Sequence, residues 1–174
     1  MWLAGWKYKG ELPAEKKAVI ISVPHTSNWD FFWGELAFLS QGIPAFILMK
    51  KEFFFFPLGM ILRALNVIPV DRGNKDSQLV EQMITEFKQR DSMYLCITPE
   101  GSRKKRKKWK KGFLVIAKAA GVPVYLGRID YKGKYCEVGP LFYPTEDVDA
   151  DLAYIMSTYH DANPKYPENF SNGN

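Results

Sequence analysis

Residues 17–30 of this chain read KAVIISVPHTSNWD, an apolar run followed by a polar segment. The run at residues 18–23 is typical of a short buried strand. His25 and Asp30 follow with the spacing H-x-x-x-x-D, close to Asn28, where a helix is predicted to begin. In α/β proteins, reactive groups often occupy the polar loop between a strand and the next helix. The stretch therefore predicts a strand, a loop with candidate catalytic residues, and a helix.

Apolar runs and amphipathic segments alternate along the rest of the chain. The predicted strands are residues 6–9, 17–23, 44–49, 67–70, 93–97, 122–129 and 134–138. The predicted helices are residues 28–40, 57–65, 76–89, 113–120 and 146–159, and the turn-rich tail after them is expected to pack loosely. This order predicts an α/β fold, a single domain over residues 1–174 with a mixed, mostly parallel sheet and helices on both faces.

Three polar loops directly follow predicted strands. They are residues 25–30, 71–72 and 100–103. If the preceding strands run parallel, their carboxyl ends lie at one edge of the sheet. We therefore expect the three loops to meet and form one site.

The spacing between His25 and Asp30 admits two interpretations. On one continuous helix, five steps rotate a side chain by about 500°, so the two side chains could not meet. With His25 in the loop and Asp30 in the first helical turn, the carboxylate could hold Nδ1–H while Nε2 acts as a general base. Alternatively, Ser27 is the N-cap and Asp30 the N3 acid of a capping box. The two roles are compatible.

The segment PEGSR at residues 99–103 follows the strand at residues 93–97. Its proline and glycine predict a tight turn that exposes Glu100 and offers backbone N–H groups. Arg103 could bind a phosphate through two hydrogen bonds, and Arg72 could do the same. The alternative is that Arg72, Asp71 and Glu100 form ion pairs at loop ends.

The net charge of +5 comes from one basic strip. Residues 103–111 read RKKRKKWKK and hold eight of the 24 basic residues, whereas the other 16 face 19 acidic residues and give −3. The strip could be a solvated loop, a nucleic-acid patch, or a docking site for acidic lipid or an acidic carrier protein. Trp109 favours an interface because indole suits the lipid headgroup layer, and no nucleic-acid-binding motif accompanies the strip. The candidate docking residues are Lys104, Lys105, Arg106, Lys107, Lys108 and Trp109.

Other features bear on location and redox state. Residues 53–62 are rich in phenylalanine; we expect them mainly in the core, with acyl-chain lining or partial membrane insertion as alternatives. This run is shorter than the about 20 residues that span a bilayer, and the amino terminus does not resemble a signal peptide. Cys96 and Cys136 lack metal-ligand spacing and are expected to be buried free thiols. We therefore expect a cytoplasmic protein, with a peripheral position on the inner face of the membrane left open.

Four blocks of the sequence together resemble the glycerolipid acyltransferase family, which includes the glycerol-3-phosphate and lysophosphatidic acid acyltransferases. The blocks are H-x-x-x-x-D at residues 25–30, a strand ending in arginine at residues 67–72, P-E-G-S-R at residues 99–103, and a V-P-V-like strand start at residues 121–124. They occur in the family's order over about residues 18–126, which is most of the chain.

The resemblance implies acyl transfer from a thioester of acyl carrier protein or coenzyme A to a hydroxyl of a glycerophosphate or lysophospholipid-type acceptor, as in phospholipid biosynthesis. His25 would be the general base and Asp30 would orient it. The residues implied to bind the phosphate-bearing acceptor are Arg72, Glu100, Gly101, Ser102 and Arg103. We expect no cofactor beyond the co-substrate, no nucleic-acid partner and no metal, since the sequence has no His/Cys cluster.

Two other functions stay open. A metal-dependent hydrolase could use His25, Asp30, Asp71 and Glu100; it would lose activity with a chelator but would have a single histidine ligand. A non-enzymatic module could bind anionic lipid or nucleic acid through the basic strip, and its binding would not depend on His25.

Overall fold

The computed structural model describes residues 1–11, 13–71 and 76–172. The strands in these residues are β1 (Lys7–Lys9), β2 (Lys17–Val23), β3 (Ala45–Lys50), β4 (Val67–Val70), β5 (Met93–Ile97), β6 (Val124–Asp130), β7 (Tyr135–Glu137) and β8 (Leu141–Phe142). The α-helices are α1 (Asn28–Ser40), α2 (Leu58–Ala64), α3 (Asp76–Gln89), α4 (Gly112–Ala120) and α5 (Val148–Ser157). Short 3-10 turns occur at Trp2–Ala4, Lys51–Phe53 and Pro167–Asn169.

The strands form one sheet in the order β1-β7-β6-β2-β5-β3-β4, with β8 paired to the start of β6. β2 is parallel to β5 and β6, and β3 is parallel to β4 and β5. β7 and β8 run antiparallel to β6. The mixed, mostly parallel α/β sheet is thus confirmed. The sequence pattern misses β8, because a two-residue strand shows no periodicity.

The central strand β2 is buried on both faces, because its side chains alternate between two apolar layers. Val19 and Ile21 belong to the larger layer, which includes apolar side chains of α3, α4 and α5. Ala18 and Ile20 pack in a second layer with Phe38 of α1. Helices therefore cover both faces, as predicted.

Parallel pairing brings the carboxyl ends of β2, β5, β3 and β4 to one edge of the sheet. The loops after β2 and β5 meet there, because the backbone N–H of His25 donates to Oε1 of Glu100 at 2.7 Å. Lys51 and Asp71 form an ion pair that joins the segments after β3 and β4. The expected meeting of the loops is confirmed for residues 25–30 and 100–103, whereas Arg72 lies outside the described residues.

Residues 53–62 lie mostly at the surface, so the expectation that they form core is wrong. Phe55, Phe56 and Met60 are exposed, and within α2 only Gly59 and Leu62 are buried. The reason is that the short α2 packs against β4 along one side and leaves its other side in solvent. In the described parts of the chain, no helix has both the length and the apolar character needed to cross a bilayer.

The tail after α5 packs on the domain, in contrast to the loose packing expected. The side-chain Nδ2 of Asn163 donates to Asp130 at 2.7 Å, and its backbone C=O accepts from Tyr131 N–H at 2.9 Å. Tyr166 N–H donates to Oγ1 of Thr26 at 3.3 Å. These partners are distant in sequence, so no local pattern indicates the contacts.

Candidate active site

His25 and Asp30 are in contact at the carboxyl end of β2. Nδ1 of His25 lies 3.2 Å from Oδ2 of Asp30, and the side chains are 21 % and 2 % exposed, respectively. Because α1 begins at Asn28, His25 is in the loop and Asp30 is in the first helical turn. The arrangement is the one in which the two side chains can meet. Since Nδ1 faces the carboxylate, Nε2 is the ring nitrogen that can act on a substrate.

The same Asp30 carboxylate caps α1. Ser27 is the N-cap, and its hydroxyl accepts from the N–H of Trp29 at 3.2 Å. Oδ2 of Asp30 accepts from the N–H groups of Thr26 and Ser27, each at 2.7 Å. The capping box predicted from the sequence is therefore present together with the His25 contact. The backbone fixes the direction of this carboxylate before any substrate binds.

Tyr131 holds the other oxygen of Asp30. Its hydroxyl, in the turn after β6, donates to Oδ1 at 2.6 Å. Burial and this hydrogen bond raise the pKa of Tyr131 well above its ordinary value, so the phenol keeps the proton that it donates. The sequence interpretation missed Tyr131. It lies 101 residues from Asp30, and a tyrosine next to a turn carries no local signal of such a role.

Glu100 connects the loop after β5 to the loop that carries His25. Its Oε1 accepts the backbone N–H of His25, and its Oε2 is buried with no hydrogen-bond partner among the residues that the structure describes. Burial raises the pKa of Glu100 to about 8, and the negative charge of Asp30 adds to the rise. This carboxyl is therefore largely protonated at neutral pH. The expectation that the turn exposes Glu100 is wrong, because the His25 loop covers it.

The remainder of the PEGSR segment begins an exposed loop. Gly101 has a φ of +64°, a left-handed conformation that glycine adopts without strain, and its N–H donates to the C=O of Thr98 at 3.0 Å. The hydroxyl of Ser102 donates to the C=O of Lys104 and accepts from its N–H, at 3.1 and 3.0 Å. Arg103 is exposed at the start of the loop, where its guanidinium can meet an anion.

The basic strip is a closed loop with an exposed cationic surface. All six cationic side chains of residues 103–108 are exposed. At the base of the loop, the N–H of Lys110 donates to the C=O of Pro99 at 2.8 Å. We call residues 103–108 the cationic loop. Because Pro99 lies two residues after the end of β5, this loop lies at the same sheet edge as His25.

Trp109 points inward, which corrects the expectation that it lies in a docking surface. It is 4 % exposed, and its Nε1 donates to the C=O of Ser171 at 2.9 Å. Its ring packs near Tyr159 and Phe170. The core takes up the apolar surface of the indole, and a backbone carbonyl satisfies its N–H. Trp109 therefore fixes the end of the cationic loop.

An aromatic groove of about 280 Å³ adjoins the active site on the Tyr131 side. Its lining residues are Trp6, Trp29, Trp33, Tyr131, Lys134 and Lys165. Trp6 stacks on Trp33 with ring centroids 4.6 Å apart, and Tyr131 meets the Trp6 ring edge-on at 5.0 Å. The sequence interpretation did not identify this groove, because its walls come from separate parts of the chain.

The geometry is suited to general-base chemistry. Asp30 is held by two backbone N–H groups and Tyr131, so it can orient the imidazole of His25 and stabilise its protonated form. Within the parts of the chain that the structure describes, no three His, Cys, Asp or Glu side chains are grouped so that they could hold a metal ion.

Comparison with known proteins agrees with the motifs. The sequence model of the family described as Acyltransferase matches residues 6–126, more than half of the chain, and the matched range includes His25, Asp30 and Glu100. No curated protein and no solved structure matched the chain. The chain therefore belongs to the glycerolipid acyltransferase family, and its general activity is that of an acyltransferase.

Proposed function

We propose that this protein moves a fatty acyl group from a thioester, carried by coenzyme A or acyl carrier protein, to a hydroxyl of a glycerophosphate or lysophospholipid-type acceptor. The observation that supports this most directly is the contact between His25 and Asp30 at 3.2 Å. It combines a partly exposed imidazole with a buried, hydrogen-bonded carboxylate at the sheet edge where the loops after β2 and β5 meet.

In the proposed reaction, Nε2 of His25 accepts the proton of the acceptor hydroxyl as its oxygen attacks the thioester carbonyl carbon. The C–S bond then breaks, and the imidazolium of His25 donates this proton to the departing thiolate. Asp30 holds Nδ1–H throughout and stabilises the positive ring. General-base help of this kind is worth about 10²–10⁴-fold in rate.

The tetrahedral intermediate carries an oxyanion that needs hydrogen-bond donors. The backbone N–H groups of His25, Thr26 and Ser27 already donate within the site, to Glu100 or Asp30. The N–H of Gly101 donates to Thr98. We therefore assign the oxyanion donors to other backbone N–H groups of the converging loops.

We assign the binding of the acceptor's phosphate to Arg103, the first residue of the cationic loop. Arg103 is exposed and directly follows the turn that carries Glu100, so a phosphate bound there lies beside the His25 loop. Arg72 is assigned the same role by the family motif alone. Lys104, Lys105, Arg106, Lys107 and Lys108 are assigned to docking on an anionic partner, which is a carrier protein or a lipid surface.

The test is an acyl-transfer assay with purified protein. Labelled acyl-coenzyme A and acyl-carrier donors are incubated with phosphate-bearing and phosphate-free hydroxyl acceptors, and the products are identified by mass spectrometry. We expect the His25→Ala and Asp30→Asn variants to lose about 10²–10⁴-fold in kcat while remaining folded. His160→Ala is the matched control, because His160 is the other histidine of the chain and is exposed. Near-normal transfer by both active-site variants would exclude the mechanism.

The acceptor assignment is tested separately. Arg103→Ala should raise KM for a phosphate-bearing acceptor at least about ten-fold, since it removes a charge-assisted contact. Lys88→Ala, an exposed cation in the last turn of α3, provides the control for loss of one positive charge. An unchanged KM in the Arg103 variant would contradict the assignment.

A further inference from the structure

An apolar segment, residues 53–61, projects from the edge of the sheet that carries the active site. It follows β3, which neighbours β5 in the sheet, and β5 in turn neighbours β2. Phe56 is 84 % exposed and Met60 is 65 % exposed. The other exposed apolar side chains of the segment are Phe53, Phe55 and Ile61. Exposed groups of this kind mark an interaction surface, because isolated domains rarely leave them uncovered.

The segment is held in shape by its own backbone. The N–H of Gly59 donates to the C=O of Phe55 at 2.6 Å, and the N–H of Met60 donates to the C=O of Pro57 at 3.1 Å. A Cβ on Gly59 would lie 2.8 Å from backbone atoms of Phe54, so this turn requires glycine. Because Gly59 and Leu62 are buried, the exposed rings extend outward from a fixed base.

Two exposed cations flank the apolar segment in the sequence. Lys50 precedes the segment and Arg63 follows it, and both are exposed. The guanidinium of Arg63 lies 5.5 Å from the centre of the Phe54 ring. Glu52 is an exposed acid nearby, and Lys51 is neutralised by its ion pair with Asp71. The cationic loop adds six exposed positive charges at the same sheet edge.

We propose that the apolar segment and the cationic loop together form a docking face for an anionic lipid bilayer. The aromatic and aliphatic side chains enter the boundary between headgroups and acyl chains, and the cations contact anionic headgroups. A symmetric contact with a second copy of the chain through this face would bring two cationic loops together, which opposes self-association. The inference deepens the proposed function and rests on it for the lipid character of the substrate.

Docking through this edge gives the active site direct access to lipid. His25, Glu100 and the apolar segment follow neighbouring strands at the same edge. An acceptor or donor with an acyl chain could therefore keep part of that chain in the bilayer while its reactive group meets Nε2 of His25. Burial of the apolar side chains should contribute to membrane binding at low and high salt alike. The attraction between the cationic loop and anionic headgroups should weaken as ionic strength rises, because salt screens it.

The first test is vesicle flotation without substrate. The probes are vesicles of phosphatidylcholine alone and of phosphatidylcholine with about one-third phosphatidylglycerol, a composition chosen to provide surface charge. We expect the wild-type chain to float with the anionic vesicles. The double variant Phe55→Ser/Phe56→Ser should lose about ten-fold or more in partition coefficient, because two exposed rings no longer leave water. Leu39→Ser is the matched control: Leu39 is 55 % exposed at the far end of α1, away from this edge.

A second measurement reports insertion directly. Cys96 and Cys136 are buried, and burial raises the pKa of each thiol to about 12, so an added surface cysteine reacts selectively. An environment-sensitive fluorophore on Met60→Cys should shift to the blue on anionic vesicles, whereas the same probe on Leu39→Cys should not. Wild-type failure to float, unchanged binding by the double variant, an unshifted Met60→Cys probe, or dimer formation that the double variant abolishes would each overturn the proposal.

The two proposals fail in different ways. Binding to vesicles does not require acyl transfer, so His25→Ala should float with them like the wild type. Acyl transfer to a water-soluble acceptor needs no bilayer, so Phe55→Ser/Phe56→Ser should keep that activity. A wild-type chain that floats with the vesicles but transfers no acyl group would contradict the proposed function. A wild-type chain that transfers acyl groups but does not float would contradict the docking face.

Discussion

The hydroxyl of Tyr131 donates a 2.6 Å hydrogen bond to Oδ1 of Asp30, whose Oδ2 contacts Nδ1 of His25. A residue outside the matched range 6–126 thus completes the support of the proposed catalytic pair. With both carboxylate oxygens held, the imidazole has one preferred orientation. A hydrogen bond such as that from Tyr131 to Asp30 is stronger in a buried site than in water, because few competing donors are present.

Removal of this hydroxyl should weaken catalysis without weakening binding. In Tyr131→Phe, we expect kcat to fall about ten- to 100-fold, since a hydrogen bond to a charged group contributes roughly 1.5–3 kcal/mol. KM for donor and acceptor should be unchanged.

Tyr154→Phe provides the control for this prediction, because Tyr154 is exposed on α5. Steady-state kinetics over a range of pH, with circular dichroism to verify folding, give the measurement. If Tyr131→Phe changed KM and left kcat unchanged, Tyr131 would be a binding residue and not a positioning residue.

Glu100 should make the protein less stable as pH rises. Burial raises its pKa from an ordinary 4.5 to about 8. Between these values the folded chain keeps a proton that the unfolded chain has released, so the free energy of unfolding falls with pH, by at most about 1.4 kcal/mol per unit. Glu100→Gln cannot release a proton but can still accept from the N–H of His25. We expect the variant to lose this part of the pH dependence.

Urea unfolding at several pH values between 4 and 9 measures this effect. Glu35→Gln offers a comparison, because burial raises the pKa of Glu35 to about 7 and its contribution should end at a lower pH. An equal decline of stability in the wild type and Glu100→Gln would show that Glu100 is not protonated in the folded state.

Two glycines should respond in opposite directions to alanine. Gly101 has a φ of +64°, so Gly101→Ala should cost about 1–2 kcal/mol in unfolding free energy. The added Cβ would also lie 3.2 Å from side-chain atoms of Lys110. Gly112 begins α4 and a Cβ there meets nothing within 4 Å, so Gly112→Ala should be neutral or stabilising. Thermal and urea unfolding compare the two; a neutral Gly101→Ala would contradict the turn geometry.

Trp109 should prove to be a core residue. Trp109→Ala should destabilise the fold by about 3–5 kcal/mol, typical of a deleted buried ring. Trp109→Phe keeps most of the ring but loses the hydrogen bond to Ser171, at a cost of about 1 kcal/mol. Vesicle flotation of Trp109→Phe should equal that of the wild type. Reduced flotation with unchanged stability would instead place the indole at a lipid interface.

Local sequence patterns predicted most of the strands and helices of the fold. β2, α1, β4 and β5 have the predicted bounds, because their apolar periodicity is strong and their ends carry capping or turn residues. Helix α5 begins and ends two residues inside its predicted range, because Asp147 is its N-cap and Thr158 is its C-cap. The sequence did not predict the exposure of residues 53–61, since an apolar run can lie either in a core or on a surface that binds a partner.

The sequence by itself determined the α/β class, the capping of α1 by Ser27 and Asp30, and the chemistry that His25 can perform. These depend on periodicity and on spacing over a few residues. Tertiary structure alone decided that Tyr131 supports Asp30, that Glu100 is buried under the His25 loop, and that Trp109 points inward. Each of these joins residues at least 62 positions apart. Such contacts depend on how the strands are ordered in the sheet, which local sequence patterns do not encode.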